Sequence, residues 1–193
     1  YLPWTTVFWI TAAFMLPGMA MTLLVREPAC SGGAPRTLHD AVVLPFREFI
    51  GRAGWQSALL ILAFIFLYKL GDSLCTALAT PFYLDMGYSL KEIGLIAKNA
   101  GFWPAIFGGL LGGLWMVRLG INRALWLFGL VQIVTILGFA WLAWIGHHAV
   151  IGTEQLLALA LVIGSEALGV GLGTAAFVAF IVSNTNPAYT ATQ

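Results

Sequence analysis

SALLILAFIFLYKLGDSLCTALATPFYL runs from Ser57 to Leu84 and holds two charged residues, Lys69 and Asp72. About 20 mostly apolar residues cross a bilayer as a helix, so this stretch is long enough to cross it with tilt or a kink. Helix is the expected conformation, because it satisfies every backbone N–H and C=O of one segment within lipid. Strands of a membrane barrel would be short and alternating. The two ions stand out against that apolar background. Placing one at the bilayer centre costs about 2.5–3.5 kcal/mol on insertion scales, so such residues face a bundle interior or a water-filled path.

Four further stretches read the same way: Trp4–Val25, Ile93–Val117, Ala124–Ile145 and Leu156–Val182. Of 193 residues, 60% are hydrophobic and 9% charged, whereas an ordinary soluble domain is about 25% charged. Mean hydropathy is +0.91. The expected fold class is an all-α integral membrane protein with five transmembrane helices. Pro17-Gly18, Pro81 and Pro104 fall in or near these helices. Each proline removes a backbone hydrogen bond and is a candidate kink, either simply tolerated in a membrane helix or serving as a hinge or gate. The chain opens on Tyr1 and is expected to be part of a longer membrane protein.

Composition also excludes several functions. The net charge is +1 and no basic cluster is present, so no nucleic acid is expected as a partner. Cys30 and Cys75 give neither a disulfide pattern nor a metal-ligand spacing. The adjacent His147 and His148 do not share a helix face, and His39 reads as a surface residue. No Ser-His-Asp set, phosphate loop or zinc motif appears. The reading is a carrier rather than an enzyme, with no metal or cofactor.

The loops set the orientation. Arg26, Arg36, Arg47 and Arg52 lie between the first and second spans, and Arg118 and Arg123 between the third and fourth. Only Lys91 lies between the second and third, and no Lys or Arg follows the fourth span. The excess of cations places the first and third loops in the cytoplasm. In the first loop, Thr37 and Asp40 resemble a capping box. Leu38, Val42, Phe46, Phe49 and Ile50 then recur at helical spacing opposite Asp40, Arg47, Glu48 and Arg52, although Pro45 interrupts the run. Such a helix would lie along the cytoplasmic membrane face. Residues 26–56 thus read as a cytoplasmic linker between two helical bundles.

Five polar residues within the spans are candidates for a solute or proton pathway: Lys69, Asp72, Lys98, Gln132 and Glu166. Lys69, Asp72, Ser73, Thr76 and Thr80 follow helical steps and form one stripe. Lys69 and Asp72, three residues apart, either neutralise each other as a structural pair or hold a substrate or proton. A buried carboxylate is the better proton carrier, with burial and a neighbouring lysine acting in opposite directions on it. Lys98 either snorkels to the outer boundary or points into a cavity toward an anionic group. Glu166 is either a protonatable group or the partner of a lysine on another helix. Gln132, with Thr135 a turn later, lines a polar path or bonds a neighbour. Gly101 and Gly109 in the third span, and Gly169 and Gly173 in the fifth, have the spacing of close helix packing.

Gly113-Leu114-Trp115-Met116-Val117-Arg118-Leu119-Gly120-Ile121-Asn122-Arg123 resembles the cytoplasmic signature loop of the major facilitator superfamily. Gly113, Arg118 and Gly120 match, and Arg123 supplies the later basic residue; the usual acidic position is Val117, a departure from the pattern. Tyr68-Lys69-Leu70-Gly71-Asp72, Gly173-Thr174-Ala175-Ala176-Phe177-Val178-Ala179 and Ala191-Thr192-Gln193 are similar to AmpG-type muropeptide permeases, as is the linker from Ala41 to Arg52. The resemblance implies helices six to ten of a transporter with two six-helix bundles. Residues 1–25 would be the last helix of the amino-terminal bundle. Residues 57–193 would be the first four helices of the carboxy-terminal bundle and the start of the next. The implied activity is proton-driven import of anhydro-muropeptides across the bacterial inner membrane, within cell-wall recycling and linked to β-lactamase induction. The implied partners are a glycopeptide solute, protons, the lipid bilayer and the absent amino-terminal bundle. An acetyl-CoA transporter-like member is the alternative of the same class. An intramembrane transferase or hydrolase is the alternative of another class, and no convincing nucleophile with a base at one membrane depth supports it.

Overall fold

The computed structural model describes residues 3–24, 38–146 and 151–185, without the side chains of residues 38–42 and 53. Among the described residues every regular element is helical. Helices α1 (Trp4–Ala13) and α2 (Met15–Leu24) make the first span and are broken at Phe14. Pro17 has no N–H, and its ring crowds the carbonyl of Ala13, where the break begins. This span buries none of its residues.

Helix α3 (Leu38–Ala53) is the predicted linker helix, and it runs through Pro45. The capping box expected at Thr37 and Asp40 lies outside the described residues and side chains. Helix α4 (Trp55–Asp85) follows after the single residue Gly54, whose φ of 77° suits glycine. A short helix α5 (Leu90–Glu92) then begins at Ser89. The Ser89 hydroxyl accepts from the Glu92 N–H at 3.3 Å, and the Glu92 carboxylate accepts from the Ser89 N–H at 2.8 Å. That reciprocal box satisfies two helix-end donors. A π-helical turn, Ile93–Ala97, leads into α6 (Lys98–Leu119), and the three pieces form one span.

Gly120, with φ 77°, makes a second one-residue corner into α7 (Ile121–Ile145). The longest helix, α8 (Thr153–Asn184), has 32 residues. It is the central post, packed against α6 on one side and α7 on the other. Leu, Phe, Trp and Val side chains cover the outward faces of the bundle, as expected where the solvent is lipid.

Two apolar clusters mark the two ends of the bundle. Ala124, Leu125, Phe128, Leu172 and Ala176 form one, close to the Gly120 corner. Tyr83, Tyr88, Ile93, Leu142, Leu159, Val162 and Ile163 form the other. Arg118 and Arg123 flank the corner at the first end, and Arg52 meets Asn184 there as well. Lys91 stands at the opposite end, beside Ile93. The fold therefore segregates these arginines from Lys91, the asymmetry on which the sequence-based orientation rests.

Helices α6 and α8 approach closely enough for backbone contact. A Cβ at Gly108 would sit 2.3 Å from the Leu168 carbonyl oxygen, and one at Gly171 would sit 2.4 Å from that of Ala105. Gly112 meets the Leu172 Cα at 3.0 Å in the same sense. Of the glycines chosen by spacing, Gly169 and Gly173 of α8 do face close neighbours, at 2.8 and 3.0 Å from an added Cβ, whereas the two of α6 do not. A Cβ at Gly109 would meet nothing within 4 Å, and one at Gly101 would make an ordinary 3.7 Å contact with Ile163. At about 100° per residue, Gly109 is turned well away from Gly108, whereas Gly101, seven residues earlier, stays on nearly the same face. The closest contact runs through Gly108 and Gly112.

Candidate functional site

Asp72 lies near the middle of α4 and is buried, 7% exposed. Its carboxylate accepts a hydrogen bond from the Lys69 ammonium one turn earlier, and the lysine side chain is about half exposed. The pair is therefore formed within one helix. The rest of the predicted stripe diverges from it: Ser73, Thr76 and Thr80 are exposed while Asp72 turns inward.

Aromatic rings hold α4 against α8. Tyr68 stacks on Phe177 with centroids 5.3 Å apart and planes within 4°. Phe64 meets Phe180 edge-on at 5.0 Å. Rings are wide spacers, and beside them α4 and α7 enclose a cleft of about 650 Å³. Its walls are mainly apolar, with polar groups from Tyr68, Asp72, Asn122 and Gln132. A largely apolar cavity with a few convergent polar groups is the usual form of a small-molecule site.

Gln132 is buried, 8% exposed, and its amide has no hydrogen-bond partner among the described residues. Its Oε1 lies 3.0 Å from the point where a Cβ on Gly173 would stand, and the Tyr68 hydroxyl lies 3.1 Å from the same point. That hydroxyl is itself buried and unpartnered. Gly173 is thus the floor over which two polar groups converge. Gly169 serves Thr135 similarly: a Cβ there would come within 2.8 Å of the Thr135 hydroxyl, which donates to the Gln132 carbonyl at 3.0 Å.

Glu166 occupies the middle of α8 and is half-buried. It is paired with neither Lys69 nor Lys98. Asp72 lies within electrostatic reach of it, and Cys75 is within reach of both carboxylates. Lys98 is exposed where the π turn passes into α6. It stands apart from Asp72, Gln132 and Tyr68, which share the cleft. In the signature loop, Gly113 is half-buried, Gly120 forms the corner, and Arg118 and Arg123 are exposed. No group of three metal-ligating side chains occurs among the described residues; His147 and His148 lie outside them.

Sequence reasoning passed over Tyr68 and Asn122 as polar members of this site. Tyr68 had a usable signal, since it sits one turn before Asp72 on the same helix face. Asn122 had none, because its place in the cleft depends on the Gly120 corner.

Residues 1–193 match the family model described as Major Facilitator Superfamily. The chain is 51% identical over 193 residues to an uncharacterised protein of Haemophilus influenzae, covering 99% of this chain and 45% of that protein. It is 38% identical over 194 residues to the anhydromuropeptide permease of Escherichia coli K12, covering 100% of this chain and 38% of that one. It thus spans less than half the length of these relatives. No solved structure matches it. With five helices among the described residues long and apolar enough to cross a membrane, this is a multi-pass protein of the bacterial inner membrane, and it belongs to the Major Facilitator Superfamily.

Proposed function

We propose that the protein containing this chain is a proton-driven permease that imports anhydro-muropeptides for cell-wall recycling, and that it is a carrier and not an enzyme. The observation that carries this reading is the Lys69–Asp72 pair, midway along α4, whose Asp72 stands on the wall of the cleft. Ionisable residues at that depth serve relays and solute contacts. The similarity to an anhydromuropeptide permease along the whole chain supplies the solute class. A muropeptide offers sugar hydroxyls, amides and carboxylates. Gln132, Tyr68 and Asn122 of the cleft suit the first two, and Lys69, paired with Asp72, suits the third. Lys98, which stands apart from the cleft, is proposed only for an anionic group nearer its own end of the bundle. Asp72 and Glu166 are the carboxylates proposed to carry protons. Transporters of this kind bind solute near the bilayer midplane, between two halves. On this reading residues 1–25 close one bundle, residues 26–56 link the two, and residues 57–193 open the second.

The full-length protein in membrane vesicles should accumulate labelled anhydro-muropeptide when an inward proton gradient is imposed. Collapse of the gradient with a protonophore should reduce uptake to equilibration. Accumulation that ignores the gradient would remove the proton from the mechanism, and absence of uptake would remove the solute.

A further inference from the structure

The last carbonyls of a helix have no intrahelical donor, and several at the end of α8 find another. Phe180 accepts from the Ser183 hydroxyl at 2.8 Å and from the Asn184 amide at 2.9 Å. Ile181 accepts from the Thr185 hydroxyl at 2.8 Å and from its N–H at 3.0 Å. The carbonyl of Asn184, the final residue, accepts from the Arg52 guanidinium, 132 residues away in sequence. Arg52 Nε also lies 3.7 Å from the Glu48 carboxylate, which steadies the fork. A cation at this terminus is further favoured by the helix dipole.

Two more constraints act on α3. Pro45, Phe46 and Phe49 rest beside Ile61 and Ile65 of α4 and Ile181 of α8, with Pro45 fully buried. Gly54 is bonded on both sides of the corner: its N–H donates to Ile50 at 2.8 Å, and its carbonyl accepts from Ala58 at 2.9 Å. A single residue bonded in this way is a bracket, not a flexible joint.

We infer that Arg52 clamps the amphipathic helix α3 to the carboxyl end of α8, so that α3 moves as one body with the α4–α8 helices. Any displacement of α8 in a working cycle is then transmitted to α3 through Arg52. This inference is independent of the solute and of proton coupling.

Hydrogen–deuterium exchange of the full-length protein in lipid nanodiscs reads the clamp directly. Arg52→Ala should speed exchange about tenfold in the last turn of α3 and at residues 181–185 together, the worth of one charge-assisted hydrogen bond. Protection along α6 should not change. Arg52→Lys, which keeps the charge and loses the fork, should restore most of the protection at residues 181–185. Faster exchange confined to α3, or unchanged exchange at residues 181–185, would overturn the clamp. If Arg52→Ala fails to accumulate, Arg52→Gln carries the same comparison of the two segments.

Discussion

Helices α6 and α4 both rest on α8, and they do so by opposite means. Helix α6 meets α8 backbone to backbone through Gly108, Gly112 and Gly171. Helix α4 meets it through the rings of Phe64, Tyr68, Phe177 and Phe180. The first contact leaves no room for water. The second stands the helices apart and borders the cleft with Asp72, Tyr68 and Gln132 on its walls. Without a hydrophobic force between helices in lipid, close packing of small residues is what fixes one helix to another. The molecule thus has a tight seam and a looser, polar one beside it. Ionisable residues can be tolerated at the looser seam because they need not be fully dehydrated.

The sharpest way to break this contrast is to add one carbon to the tight seam. Gly108→Ala places a Cβ 2.3 Å from a backbone oxygen that no side-chain rotation can move. Overpacking of this kind costs about 1–3 kcal/mol and sometimes more. The full-length protein should lose thermal stability in detergent and accumulate poorly. Gly109→Ala, one residue along, meets open space and should change stability by less than about 0.5 kcal/mol. Equal behaviour of the two variants would mean that the α6–α8 contact line lies elsewhere.

At the looser seam the expected loss is of activity. If Asp72 carries the coupling proton, Asp72→Asn should leave the protein inserted and abolish gradient-driven uptake, while solute exchange at equal pH survives. A purely structural pair gives another pattern. Removing both charges avoids an orphaned ion, so the double variant Lys69→Met, Asp72→Asn should then transport better than either single one. Gradient-driven uptake at matched membrane levels separates the two, and near-normal uptake by the double variant would shift the coupling role to Glu166.

The two seams were not equally legible in the sequence. All five spans were, with every end within three residues of the helices found, because hydropathy over 20 residues is a strong signal. The Lys69–Asp72 pair was legible too, since partners one turn apart need no tertiary knowledge. The glycine seam was legible as a tendency, but its register was not: Gly109 faces open space and Gly101 makes only an ordinary contact, while the close approach on α6 is at Gly108 and Gly112. The ring seam gave no advance sign. Tyr68 and Phe177 are over 100 residues apart, and either ring would be ordinary on a lipid-facing surface. The same holds for Arg52, which reads as a loop cation until the end of α8 is placed beside it. Contacts within a helix follow from periodicity, whereas contacts between distant helices require the packed bundle.

The smallest change at the looser seam is the removal of one oxygen. The Tyr68 hydroxyl is buried without a partner, while its ring is held between Phe64 and Phe177. An unsatisfied buried polar group costs about 1–3 kcal/mol, so Tyr68→Phe should leave the stacking intact and keep or slightly raise thermal stability. A structural hydroxyl would end the matter there. The Gln132 amide, however, converges on the same point above Gly173 and also has no partner among the described residues. If α4 closes on α7 during turnover, the two groups can bond to each other, and the hydroxyl that is idle in this conformation stabilises the closed one. Tyr68→Phe should then slow uptake several-fold at unchanged membrane level, and Gln132→Leu in the same background should add little further loss. Additive losses from the two changes would separate the groups, and unchanged uptake in Tyr68→Phe would leave the hydroxyl without a role in the cycle.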